Sequence, residues 1–419
     1  MTNALRWNSL PADDAVESLD DRDRLLLDAV RSYVDETVVP ARDELDAVID
    51  RDSFPISVVK PGIDLGLKSL AFASEDGGRG ASAVLLGLVV EELARGDLGI
   101  AYYFKHNWRF SQLVRRLPPA LRRDVTKQLR QDPWYLGASA ITEANVGSDN
   151  HLLSSNPELG VQLEARRDGD HWVLNGEKVM ITNATMAGIY FVGARTDPGV
   201  PAESGVTLIA VPGDTDGISF GPPYRKLGQR SSIQTDVHFD NCRVPLDYAV
   251  SEVGRGLSST RTGANTGSNL VNAFMSIGVA RAAYEVALDW CTSRVQGGSL
   301  IYQHQLVAHQ LGSMRVELDA AFSHAYCVAR ALDKVGPQEL DPAAAWAANV
   351  SASEMVVRVA RAAMELLGGR GMMAGWGTEK LIRDALTLQH GFGTNPLMLS
   401  NIGTLDSERV LARRRSDVR

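Results

Sequence analysis

Asp168-Gly169-Asp170-His171-Trp172-Val173-Leu174-Asn175-Gly176-Glu177-Lys178-Val179-Met180-Ile181-Thr182-Asn183 is unlike the long stretches of chain before and after it. Its aromatic and β-branched residues come in short runs broken by Gly, Asp and Asn, the pattern of strands and tight turns. Asn175-Gly176, set between Trp172-Val173-Leu174 and Glu177 to Thr182, predicts a type I′ hairpin turn, because both residues tolerate positive φ. Further β-rich runs lie at Val161 to Arg166, Ile189 to Ala194, Val206 to Val211 and Thr235 to Phe239. Their spacing predicts a small β-barrel or sandwich over residues 135–255.

Helical spacing surrounds this island. From Arg22 to about Arg130 apolar residues recur at i, i+3 and i+4, with Leu25, Leu26, Val30, Tyr33 and Val34 predicted to share one face. Ala83 to Leu93 is apolar enough for a buried helix, and Ser74 to Gly80 is a glycine-rich turn without the Lys-Ser/Thr of a phosphate loop. After Ser268 the spacing returns in Val271 to Arg294, Gln303 to Leu332 and Ala343 to Leu367, long helices on short connections that suit an antiparallel bundle. The expected class is therefore α+β, mainly α. An all-helical domain over 1–134 and a four-helix bundle over 256–419 flank the β-barrel.

With 419 residues, 44% hydrophobic and 22% charged, the chain has globular composition, and its net charge of −8 offers no general attraction to nucleic acid or anionic lipid. Cys242, Cys291 and Cys327 are odd in number and widely spaced, which argues against a disulfide framework or a zinc site and favours a reducing cytoplasm. The acidic start and the absence of a long apolar run predict neither a leader nor a membrane span. The basic run Arg409 to Arg419 reads as a solvated tail.

Several ordered motifs carry a family likeness. Ala140-Ile141-Thr142-Glu143-Ala144-Asn145-Val146-Gly147-Ser148-Asp149 resembles the TEPxAGSD motif of the acyl-CoA dehydrogenases, with Ala144 in place of proline. Asp168 to Asn183 is similar to that family's GD-x-(W/Y)VLNGxKxWITN. Lys226-Leu227-Gly228-Gln229-Arg230-Ser231-Ser232 and Phe239-Asp240-Asn241-Cys242-Arg243-Val244-Pro245 are similar to its KLGxRxS and F-(D/E)-x-C-x-V-P runs. Arg383-Asp384-Ala385 leads to Gly391-Phe392-Gly393-Thr394, where the family has a carboxylate before Gly-Thr. The likeness spans nearly the whole chain.

The resemblance implies bound FAD. It gives flavin contacts to Ile141, Thr142, Gly147, Ser148, Met180, Thr182 and Thr394, and short hydroxyls beside tight turns suit donation to ring and phosphate oxygens. Arg294 and Gln305 match residues that reach the pyrophosphate and adenine from a neighbouring subunit, which implies a homodimer or homotetramer. Glu365, Gly368 and Gly369 fall in a run similar to QxxGGxG, with Glu365 where the family has Gln, and Gly297 stands where an aromatic packs near the adenine.

The substrate side departs further. Phe392 occupies the usual base position, and a phenyl ring cannot take the Cα proton of a thioester. The alternative position for that base falls near Ser268 and Asn269, neither a carboxylate. Gly391 replaces a common Tyr, Met180 an aromatic, and Leu399 an Arg that reaches CoA in some members. His390 is a candidate substitute base, since it can titrate near neutrality, and Asp97 or Asp149 are others. The expected activity is FAD-dependent oxidation of an acyl thioester, borne by CoA or an acyl-carrier protein, with a relocated base and an electron-transfer flavoprotein as acceptor. The alternatives are redox-neutral elimination, cyclisation or desulfination, monooxygenation, or an inactive subunit. Neither nucleic acid nor membrane is an expected partner.

Overall fold

A computed structural model describes residues 10–148, 154–257, 264–391 and 393–416. The elements that position the site are helices α1 (Asp21–Tyr33), α2 (Ala83–Gly96), α3 (Leu98–Trp108), α4 (Pro119–Gln131), α5 (Ala264–Ser293), α6 (Gln305–Val335), α7 (Pro342–Leu367), α8 (Thr378–Thr387) and α9 (Asn395–Ser416). Between α4 and α5 lie strands β1 (Leu136–Ala140), β2 (Glu164–Asp168), β3 (His171–Thr182), β4 (Ala187–Arg195), β5 (Val206–Pro212), β6 (Ile218–Phe220) and β7 (Gln234–Pro245). The helical, β and helical order is as expected. None of the described helices is long and apolar enough to cross a membrane.

Local chemistry explains the helix starts. The Asp20 side chain accepts the Asp23 N–H ahead of α1, Ser82 accepts from Leu85 ahead of α2, and Asp97 accepts from Ile100 ahead of α3. On α1 the buried residues are Leu26, Leu27, Val30 and Tyr33, whereas Leu25 is 70% exposed. Leu26, Val30, Tyr33 and Val34 of the predicted face are buried, and Leu27 takes the place of Leu25. Helix α2 is buried along most of its length, Glu91, Glu92 and Arg95 included, because it packs along α5 of the bundle. The two backbones approach so closely that a Cβ at Gly278 would overlap the carbonyl oxygen of Glu91. Arg281 of α5 bridges Glu91 and Glu92 at 3.0 Å each, and Arg95 and Arg31 complete the Glu92 pairing. Buried charges so compensated tie the first helical region to the bundle.

The strands form one curled sheet, ordered β1-β4-β2-β3-β7-β6 with β5 on β4, around a core that includes Trp172, Leu174, Tyr190 and Phe239. The predicted hairpin turn is misplaced by one motif. Asp168 pairs with His171, so the two-residue loop is Gly169-Asp170, with Gly169 at φ 62. Asn175-Gly176 lies inside the continuous strand β3, at a register shift opposite β7. There Gly176, at φ 138, passes Leu163 too closely for a side chain, and the Asn175 side-chain Oδ1 accepts the Asn241 N–H at 2.8 Å. These residues serve a bulge, which bends the strand rather than reversing it. The basic segment read as a tail continues α9 as far as Ser416, with Arg409 paired to Asp341.

Candidate active site

Lys178 bolts the Ile141–Ser148 turn onto the sheet. Its buried ammonium donates to Glu143 Oε1 at 2.7 Å and to the Ile141 carbonyl at 3.1 Å, while Glu143 also accepts the N–H groups of Gln162 and Leu163. Burial, opposed by Glu143, pushes the Lys178 pKa down to about 8. The Val179 N–H donates to the Thr142 carbonyl, so Ile141 and Thr142 lie beside the second bulge of β3. At that bulge Met180 takes φ 55 and is 52% exposed, its N–H held by Asp236, which also accepts the Tyr224 hydroxyl. Thr182 accepts from Gln234 Nε2 at 2.8 Å, which leaves its own proton available for a ligand.

A buried polar knot joins all three regions. Asp97, the cap of α3, accepts from Ser231 at 2.8 Å and pairs with Lys380 of α8 at 2.7 Å. Lys380 also meets Asp384 at 2.6 Å, and Asp384 accepts the Gln229 N–H at 2.7 Å. Burial opposes the charge on Lys380, but Asp384 and Asp97 outweigh it and hold the ammonium above its ordinary pKa. Burial likewise penalises the Asp97 carboxylate, yet Lys380 and its hydrogen bonds bring its pKa below the usual range. Asp97, considered above as a base, is therefore committed to holding elements together. The Lys226–Ser232 motif is the loop this knot grips.

Helix α8 delivers the Leu388–Gly391 turn against α3 and α5. A Cβ placed on Gly391 would lie 3.0 Å from the Tyr102 hydroxyl and 3.8 Å from Asn272 Oδ1. Asn272 donates to Asn349 at 2.6 Å and to the Leu388 carbonyl, and Asn349 donates to Asn269, so the Ser268-Asn269 position leads into an asparagine network. Tyr102 hydrogen-bonds Gln229, and burial raises its phenol pKa, which keeps it protonated. The Gln229 amide also reaches Thr387 at 2.6 Å. His390 is exposed, without a hydrogen bond to a described residue. Thr394 sits half-buried before α9, its carbonyl accepting the Met398 N–H. Phe392 and Asp149 lie outside the described residues. Sequence reasoning missed Tyr102, whose neighbour Gly391 was the available signal.

Arg294, Gln305, Glu365, Gly368 and Gly369 form a second group at the far ends of α5 to α7. Among the described residues no side-chain hydrogen bond joins it to the sheet group. Arg294 stands over the Trp290 ring, 5.8 Å from its centroid, and Gln305 is exposed. Glu365 pairs with Arg361 at 2.9 Å. Gly297 and Gly298, both at positive φ, make the turn between Val295-Gln296 and Ser299-Leu300, which explains glycine where an aromatic was expected. A Cβ at Gly147, Gly368 or Gly369 would meet nothing within 4 Å. Open space beside these backbones, with a hydroxyl at Thr182, fits a long flat cofactor with a diphosphate.

Comparison with known proteins agrees with this geometry. Models of the N-terminal, middle and C-terminal domains of acyl-CoA dehydrogenases match residues 20–122, 138–242 and 254–404. This chain belongs to the acyl-CoA dehydrogenase family, whose cofactor is FAD. It is 29% identical over 392 residues to the probable acyl-CoA dehydrogenase FadE25 of Mycobacterium tuberculosis, covering 93% of this chain and 96% of that one. Similarity to the probable acyl-CoA dehydrogenase YngJ of Bacillus subtilis is 28% over 380 residues, 89% and 95% of the two chains. Among solved structures, butyryl-CoA dehydrogenase from Megasphaera elsdenii superposes with a TM-score of 0.83 at 25% identity, covering 93% and 98%. A glutaryl-CoA dehydrogenase from Mycobacterium smegmatis in complex with FADH2 gives 0.82 at 25%, covering 95% and 98%.

Proposed function

We propose that this protein oxidises an acyl thioester with FAD and takes the Cα proton on a base other than residue 392. FAD, when bound, supplies the hydride acceptor. In this reading Ile141, Thr142, Gly147, Ser148, Met180, Thr182 and Thr394 hold the flavin, while Arg294, Gln305, Glu365, Gly368 and Gly369 receive the diphosphate and adenine of a second protomer's cofactor. The supporting observation is the polar knot of Asp97, Ser231, Lys380 and Asp384, which fixes the Leu388–Gly391 turn beside Tyr102 and Asn272. Such effort at one turn is what a pre-organised site requires. Domain boundaries near residues 134 and 255, a homo-oligomer and an electron-transfer flavoprotein partner belong to the same proposal.

Position 392 is phenylalanine, and Tyr102 is held protonated, so neither is the base. His390, in the same turn, is the group this reading nominates. Replacement by Gln should lower the rate of flavin reduction by the substrate by about 10²–10⁴-fold. An unchanged rate across pH 6 to 9 excludes His390 and leaves the base to another segment. A product formed without any electron acceptor points instead to redox-neutral chemistry on the same fold.

A further inference from the structure

The last turn of α5 carries Trp290, and the turn between α7 and α8 brings Trp376 against it, with ring centroids 5.4 Å apart and planes at 82°. Arg370 lies between the two indoles, its guanidinium 5.1 Å from the Trp290 centroid and 5.3 Å from that of Trp376. Arg294 reaches the same Trp290 ring. Two guanidiniums thus share one indole, and among the described residues neither has a carboxylate or hydrogen-bond partner. Glu365, the acid closest in sequence to Arg370, pairs with Arg361 instead.

The backbone under Arg370 is fixed. A Cβ at Gly371 would overlap the Met364 carbonyl oxygen, so the turn lies tight on α7, and the Thr378 hydroxyl donates to the Gly371 carbonyl at 2.9 Å. Contact with two rings orders the long Arg370 side chain in advance, which reduces the entropy lost when it grips a ligand. Beside it the backbone at Gly368 and Gly369 is open, and Trp376 leaves 42% of its surface uncovered.

This pairing of charge and ring suits one chemistry, a nucleoside diphosphate. Its diphosphate carries two negative charges, of which Arg294 alone would meet one, and its base offers a flat face to an indole. Gly297, at φ 66 in its own turn, has no ring to give.

We propose that Arg370 and Trp376 are further cofactor-binding residues, Arg370 sharing the FAD diphosphate with Arg294 and the exposed Trp376 ring packing on the adenine. This rests on the FAD reading above. CoA also carries an adenosine diphosphate; FAD is the occupant because Arg370 directly follows Gly368-Gly369 and shares Trp290 with Arg294, all members of that reading.

The test is calorimetric titration of the full chain, stripped of flavin, with FAD and with FMN, which has the same ring system and no adenylate. Arg370→Met and Arg370→Gln should each weaken FAD binding by about 10- to 100-fold, and Trp376→Leu by about 10-fold, with FMN binding unchanged. FAD affinity unmoved by the folded variants at either position overturns the inference alone, as does equal weakening of FAD and FMN, which marks a structural role. Weaker binding of butyryl-CoA by the FAD-loaded variants, with FAD affinity intact, assigns the group to CoA and overturns it as well. If the wild-type protein binds neither flavin, the FAD reading fails and the inference falls with it.

Discussion

Gly391 and Tyr102 are best understood as a pair. The family resemblance places a tyrosine at residue 391, and here the phenol comes from α3 instead, its hydroxyl 3.0 Å from where a Cβ at 391 would stand. Gly391→Ala should therefore be destabilised by roughly 1–3 kcal/mol through overpacking, and adding Tyr102→Phe should recover most of that loss in thermal unfolding. Additive losses would show that the two residues do not share the space. Lys178 offers a second residue-level test. Its folded pKa of about 8 lies below the usual lysine value, so below pH 8 it is protonated in both states. Between about pH 8 and 10.5 the folded chain sheds a proton that the unfolded chain keeps, and stability rises by up to about 1.4 kcal/mol per pH unit relative to Lys178→Met. Parallel stability curves for the two proteins would refute the depressed pKa. Thr142 and Thr182 stand out in the sequence because their motifs surround them. Tyr102 does not, because nothing local marks a residue that acts by filling space left 289 positions later, the interval from 102 to 391.

At the level of elements, β3 shows how local and tertiary signals compete. Asn175-Gly176 is strong turn chemistry, yet β7 pairs along both halves of the strand, and the glycine serves a close pass by Leu163 instead. Only the neighbouring strand could reveal that. The long bundle helices, by contrast, were read within a few residues of their observed spans apart from the extended start of α5, because 3.6-residue periodicity over many turns leaves little choice. The contact of α2 with α5 carries its own prediction. Gly278→Ala inserts a methyl into the Glu91 backbone carbonyl, which no rotamer can relieve, so the helices must part around the Arg281 ion pairs. A lowered denaturant midpoint, by about 1–3 kcal/mol or more in stability, is expected. No change would mean that this interface is looser than described.

For the whole molecule, the two groups of residues proposed to hold FAD sit at separate places, one mainly on the sheet rim and one at the bundle ends. Our account has them meet across protomers, so a homodimer or tetramer should be the species that retains FAD, and dilution to monomers should release it. Sedimentation with flavin absorbance detection checks this; a monomer with full flavin content at low micromolar concentration contradicts it. The architecture and the cofactor were legible in the sequence from motifs at the joints between regions. The catalytic base was not, since it depends on which group faces the substrate Cα.

The central claim is that a thioester is oxidised here although residue 392 is phenylalanine. Anaerobic mixing of the FAD-loaded protein with a series of acyl-CoA thioesters tests it in one absorbance trace. We expect the oxidised flavin band to bleach with the best thioester, and Phe392→Glu to give no faster bleaching. A flavin that stays oxidised with every thioester, or bleaching that begins only once Phe392→Glu restores a carboxylate, would contradict the claim.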